Sequence, residues 1–290
     1  MSEHLVHIKG APRPRTSTSE IMRIALNLAS VCALGGVVLG GVYMATARYQ
    51  AAARLDAEKR AVVSMLDLGA EARVTEVRQY LDAAQGRVVY RARPYGDATA
   101  AARELAFSLD GVALGVREIA GEVVPKSLQP LGRLFVARQG AALAGFVLEG
   151  DTRGYKNRIR FFVALDSSFT IAGVRVLEHE EDPGLGAEVA EVWFTGQFLG
   201  RRASDVAALR VTRDPLPEDW RGALGELAHT HAPAWRSAHA ALLERERSQS
   251  LHAVTGATIS SRALTDGVRG TIEHFRRRWA LLAPALGEGS

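Results

Sequence analysis

The stretch Ile24–Ala47, IALNLASVCALGGVVLGGVYMATA, leaves the first part of this chain little choice of structure. No charged side chain interrupts it, and a helix of that length spans on the order of 36 Å, enough to cross a bilayer core of about 30 Å. A cleaved signal peptide is the rival reading, helped by Ala45-Thr46-Ala47, but the stretch exceeds the usual apolar core of roughly 7–15 residues. It is therefore read as a retained anchor at residues 21–48, after a flexible tail at 1–20 that carries Lys9, Arg13 and Arg15. Lys9, Arg13, Arg15 and Arg23 precede the span while Arg48, Arg54, Lys59 and Arg60 follow it, so charge does not decide the orientation. Gly36 and Gly40 form a small-x-x-x-small pair where another membrane helix can approach. Residues 49–68, rich in Ala and in charge, read as a juxtamembrane helix.

The remainder has the composition of a globular protein: of 290 residues, 47% are apolar and 23% charged, enough for one sizeable domain or two small ones. The net charge of +4 is spread along the chain without an aromatic-interleaved basic patch, which argues against nucleic acid as a partner. Cys32 is the lone cysteine, which excludes internal disulfides, Cys-rich zinc sites and cysteine-ligated iron–sulfur clusters. His229 and His231 form an H-x-H pair with His239 beyond, but a loop-like setting without a carboxylate partner argues against a metal site.

Strand signals fill the middle of the chain. Residues 69–130 alternate short strand-like runs such as Arg87–Arg91 with turn signals at Gly86, Pro94-Tyr95-Gly96 and Asp110-Gly111, and show no chemistry. Arg133–Arg138 and Ala142–Leu148 flank Gln139-Gly140 as a candidate hairpin. Ile159, Phe161, Val163 and Leu165 alternate to give one apolar face. Thr170–Glu178 completes an antiparallel meander. Pro183-Gly184-Leu185-Gly186 then makes a rigid turn into a helix-like stretch, Ala187–Phe198. Asp214-Pro215-Leu216-Pro217 marks a boundary, and Trp235–Gln249 reads as a charged helix.

Near the end, Thr255-Gly256-Ala257-Thr258-Ile259-Ser260-Ser261 feeds into a helix whose apolar stripe is Leu264, Val268, Ile272, Phe275 and Trp279. Ser260 or Ser261 is the expected N-cap. A helix N-terminus favours anions, and Gly256 and Ala257 leave the backbone beside Thr258 uncrowded, so a phosphate-bearing group can reach its hydroxyl.

Thr255-Gly256-Ala257-Thr258, followed by Ser260-Ser261, resembles the covalent flavinylation motif of FMN-binding domains. His179-Glu180-Glu181-Asp182-Pro183-Gly184-Leu185-Gly186 resembles that family's second signature, and Gly154-Tyr155 its Gly-Tyr segment. Within the family the chain is most similar to the G subunit of Rnf-type ion-translocating electron transport complexes, and more distantly to the C subunit of the sodium-pumping NADH:quinone reductase. Two residues depart from the pattern: His252 stands where family members usually carry Asp, and Asp182 replaces the usual Thr, adding an anionic group near the expected flavin.

The resemblance implies an α+β fold, an antiparallel sheet flanked by helices behind one N-terminal transmembrane helix, with an extracytoplasmic FMN-binding domain at 69–282 and a tail at 283–290. It implies FMN joined by its phosphate to Thr258 through a flavin transferase, with Thr255, Gly256, Ala257, Ser260 and Ser261 around the attachment point. Gly184, Leu185 and Gly186 would lie against the ring, Leu185 packing on it; Glu181 or His179 would orient that loop, and Tyr155 would pack near the flavin or close the core. No independent catalytic residue and no metal ligand is identified. The implied role is a single-pass subunit of the cell inner membrane, its main domain on the periplasmic side, relaying electrons among membrane and iron–sulfur subunits of an ion-translocating oxidoreductase. Two alternatives stay open: a flavin-binding sensor or accessory domain of another membrane redox system, and a flavin-free scaffold, the latter motivated by His252.

Overall fold

The computed structural model describes residues 18–69, 71–97, 99–121, 123–227 and 232–286. The chain divides into two compact units, Met1–Leu55 and Asp56–Ser290. Helix α1 runs Thr18–Met65. Its Thr18–Ala47 portion is long and apolar enough to cross a membrane, and none of it is buried by the protein. The hydroxyls of Ser30 and Thr46 donate back to the carbonyls of Leu26 and Val42, so neither exposes an unpaired polar group on this apolar surface.

The second unit is built on an eight-stranded sheet: β1 (Arg73–Asp82), β2 (Arg87–Pro94), β3 (Ala102–Ser108), β4 (Ala113–Ile119), β5 (Leu128–Gln139), β6 (Ala142–Arg153), β7 (Arg158–Asp166) and β8 (Ile171–Glu178). The order is β4-β3-β2-β1-β5-β6-β7-β8, with every neighbouring pair antiparallel. Two four-stranded meanders are thus joined through β1 and β5. The expected hairpin at Gln139-Gly140 is present as the β5–β6 connection, with longer arms.

The apolar alternation of β7 tells only half of its surroundings. Ile159, Phe161, Val163 and Leu165 are fully buried, but so are Phe162 and Ala164 between them. The first set faces α6 (Thr258–Ala285), whose Leu264, Val268, Ile272, Phe275 and Trp279 complete the same core. The second set packs with Val62 and Met65 from the end of α1. β7 is therefore sandwiched, and the expectation of one apolar face is corrected to two.

Two expected helices are also broken. Ala187–Phe198 is a 3₁₀ turn at Gly186–Ala190, a one-turn helix α2 at Val192–Thr195 and a second 3₁₀ turn at Gly196–Phe198. Phe194 and Phe198 anchor this chain of turns in the core while Trp193 packs against it, which fixes the path without regular hydrogen bonding. Trp235–Gln249 becomes α4 (Ala232–Ala238) and α5 (Ala240–Glu246), with His239 between them. Between these segments lie β9 (Val211–Thr212) and α3 (Glu218–Leu227), and after them β10 (Leu251–His252), which pairs in parallel with β9.

Candidate functional site

The two sequence signatures meet around Glu181. This residue is only 4% exposed, and its carboxylate accepts the backbone N–H of Tyr155 at 3.2 Å and of Lys156 at 2.9 Å, and the hydroxyl of Ser260. A Cβ on Gly154 would strike its Oε1, and one on Gly186 would lie 2.7 Å from its Oε2, so the two glycines make room for the carboxylate. Its neighbours repeat the attachment: Glu180 accepts Asn157 Nδ2 at 2.6 Å, and Asp182 pairs with Lys156 at the surface. The Lys156 ammonium thus offsets the extra charge of Asp182. Burial pushes the Glu181 pKa up, but the hydrogen bonds from Ser260 and the Lys156, Asn157 and Tyr155 amides outweigh it and hold the carboxyl below its ordinary value.

Glu181 thereby ties the 154–157 turn and the start of α6 to its own loop. The buried Nδ1 of His179 finds no hydrogen-bond partner among the described residues. Tyr155 is exposed and does not close the core.

Helix α6 begins at Thr258, after Ala257, so neither serine is the N-cap. Both lie inside the first turn because their hydroxyls are needed elsewhere. Ser260 donates to Glu181; Ser261 accepts the Val254 amide at 3.0 Å and donates to the Ala257 carbonyl at 3.0 Å. Of the four hydroxyls in the run, only those of Thr255 and Thr258 make no hydrogen bond among the described residues.

Both threonines, with Gly256, line a cleft of about 550 Å³. It is lined by the loop Ala253–Thr258, by Arg213, Asp214, Pro215 and Leu216 from the strap after β9, by Arg221 and Gly225 of α3, and by Glu188 and Trp193. Gly256 adopts φ +79, and a Cβ there would come within 3.0 Å of Leu185 Cδ2, so the Pro183–Gly186 turn abuts the attachment loop.

The FMN-binding domain family matches residues 154–273. Over this segment the chain is similar to FMN-binding domains. Among curated relatives, the G subunit of a Na(+)-translocating ferredoxin:NAD(+) oxidoreductase complex from Acetobacterium woodii is 24% identical, the alignment covering 56% of this chain and 63% of the relative. The G subunit of an ion-translocating oxidoreductase complex from Cereibacter sphaeroides is 30% identical over 52% of this chain and 57% of the relative. The chain thus spans 63% and 57% of these two relatives' lengths. The crystal structure of Shewanella oneidensis NqrC aligns with 79% of this chain and 98% of that one at 19% identity and a TM-score of 0.47, too loosely to carry weight.

The cleft suits the cofactor of an FMN-binding domain. Its volume lies in the range of small-molecule sites, and Trp193, Pro215 and Leu216 give a flat ring apolar contacts. The sequence marked Asp214–Pro217 only as a boundary, not as part of a site. This strap reaches the attachment loop through the β9–β10 pairing, Leu251 opposite Val211 and His252 opposite Thr212. Gln197 clamps His252 from both sides, accepting its N–H at 2.7 Å and donating to its carbonyl at 3.1 Å. The His252 ring sits in a separate pocket with Thr212, Pro217 and Glu246, its Nδ1 3.0 Å from the Asp214 carbonyl. Arg201 supports the approach to β10 by donating to the carbonyls of Gln197, Arg247 and Gln249, and burial lowers its pKa to about 10. His229 and His231 lie outside the described residues; His239 pairs with Glu226 at 3.0 Å, and no metal-ligand cluster occurs among the described residues.

Proposed function

We propose that this protein carries FMN in the Thr255–Thr258 cleft, joined through its phosphate to the Thr258 hydroxyl, and works as a membrane-anchored electron-transfer subunit of a complex coupling electron flow to ion translocation. The observation that carries this reading is the division of labour among the hydroxyls. Ser260 and Ser261 are spent on structure, whereas Thr258 is half-buried at the cleft with its hydroxyl free among the described residues. It opens a helix whose first turn lacks a side-chain cap, so the amides there and the helix dipole offset phosphate charge. When bound, a flavin takes up two electrons and can pass them on singly, linking carriers of different electron number. The protein's part is to hold it: Thr258 tethers, the Glu181 hub fixes the Leu185 turn, and the 213–225 wall closes the cleft. On this reading Thr18–Ala47 spans the inner membrane once, the main domain lies on the periplasmic side, and the partners are membrane and iron–sulfur subunits of an Rnf-like complex, with a flavin transferase for maturation.

The test is ultraviolet fluorescence of the denatured protein in a gel after co-expression with a flavin transferase. Fluorescence migrating with the wild-type chain and abolished in Thr258→Ala is expected; a dark wild-type band, or a fluorescent Thr258→Ala band, overturns the assignment. Gly225 offers an independent check on the cleft. A Cβ there meets nothing within 4 Å, so Gly225→Ala should be accepted and stabilise α3 by about 0.5 kcal/mol. Gly225→Phe should place its ring in the cleft and reduce flavin loading at least severalfold in a folded protein. Equal loading of Gly225→Phe and wild type, measured as flavin absorbance per chain, would put the ring elsewhere.

A further inference from the structure

The cleft holds two guanidinium groups that the fold does not use. Arg221 and Gly225 lie one turn apart on α3, and the bare Gly225 leaves the space beside Arg221 open. Arg213 comes from the strap. Neither side chain has an ion-pair partner among the described residues, in contrast with Arg91, Arg117, Arg133, Arg158 and Arg160, which all hold carboxylates. The acids of the cleft are Glu188 and Asp214; Asp214 keeps its charge while accepting the Thr212 hydroxyl at 2.5 Å, and neither acid is ion-paired with Arg213 or Arg221 among the described residues. Both arginines line the same cleft as Thr255, Gly256 and Thr258.

Resting on the reading that FMN occupies this cleft, we propose that Arg213 and Arg221 face the flavin ring with positive charge and thereby set its reduction potential. Uptake of two electrons from a low-potential donor such as dithionite, with one proton from water, leaves one more negative charge on the ring. A guanidinium nearby stabilises that reduced form relative to the oxidised one, and part-exposed charges of this kind act through screened Coulomb attraction. These are positioning charges: they take no proton and no electron.

The experiment is a spectroelectrochemical titration of the full-length flavin-loaded protein, comparing wild type with Arg213→Gln, Arg221→Gln, the double variant and the two Lys variants. The potential is read on the loaded fraction, so partial loading does not alter it. At a fixed applied potential each Gln variant should lower the reduced-to-oxidised ratio about three- to tenfold, tenfold being about 30 mV for a two-electron couple. The Lys variants should retain most of the wild-type ratio, and raising the salt concentration should shrink the differences. The double variant should take up more protons per electron pair, seen as a steeper dependence of potential on pH. A double variant with the wild-type potential and pH slope overturns the proposal. So does a folded double variant that carries no flavin, which would assign the arginines to attachment. A wild-type chain without flavin fails the underlying reading instead, and the proposal falls with it.

Discussion

Glu181→Leu is expected to destabilise the second unit by about 3 kcal/mol and to reduce flavin loading with it. The side chain would lose its carboxylate while the amides of Tyr155 and Lys156 and the Ser260 hydroxyl kept pointing at the place it occupied. Donors left without an acceptor cost about 1–3 kcal/mol each when water cannot reach them, and the exposure of Tyr155 and Lys156 relieves part of that. Glu181→Gln keeps one oxygen acceptor but turns an NH₂ group toward donors, so about half the loss should remain. The pH dependence has a definite sign. The folded carboxyl titrates below its unfolded value of about 4.3, so its contribution is complete above that pH and is lost as pH falls through the folded pKa. Urea midpoints measured from neutral to acid pH should therefore converge for wild type and Glu181→Gln only once the pH has fallen below the folded pKa, beneath the ordinary carboxyl range. Equal midpoints at neutral pH would show that the three segments are held together without Glu181.

How much of this was legible in the sequence depended on whether the determinants were local. The stripe Leu264 to Trp279 is set by helical periodicity alone, and all five residues are buried where that pattern puts them. The signatures at 179–186 and 255–261 identified two loops but not the contact between Gly256 and Leu185, which depends on the sheet. The serines were misplaced as caps because a hydroxyl at a helix start has a strong local preference, whereas Glu181, far away in sequence, supplies a stronger partner for Ser260. Strands β1–β4 were obscured for a similar reason. They carry Glu76, Arg78, Arg91, Arg93 and Glu104, charges that break up the apolar alternation of a strand and are offset only by ion pairs such as Arg91–Glu104 and Arg93–Glu76, which form across strands. The strap at Asp214–Pro217 looked like a boundary because its prolines interrupt regular structure, and only the β9–β10 pairing reveals it as a wall of the cleft.

The same ionic network supports the second large effect, a loss of about 3 kcal/mol in Arg133→Met. Arg133 pairs with Glu58 of α1, with Glu149 of β6 and, at 3.4 Å, with Glu76 of β1, while its guanidinium lies 5.2 Å from the Phe135 ring centre. The Glu76 side chain is 2% exposed, and those of Glu58 and Glu149 are 19% and 18% exposed. Burial opposes ionisation of Glu149, yet Arg133 and Arg160 together hold its pKa below the ordinary value. Removing Arg133 strands three acids with one fewer cation, and breaking a buried pair on one side costs more than the pair contributes to stability. The double variant Arg133→Met, Glu149→Gln should therefore be less destabilised than the sum of its single variants by about 1–3 kcal/mol, as expected of groups in one network. Because Glu58 belongs to the helix, proteolysis within residues 56–68 should accelerate in Arg133→Met. If that variant unfolds at the wild-type urea midpoint and is cleaved no faster, Val62 and Met65 hold the end of α1 on the sheet by apolar contact alone, and the arginine cluster serves only to keep an otherwise acidic face soluble.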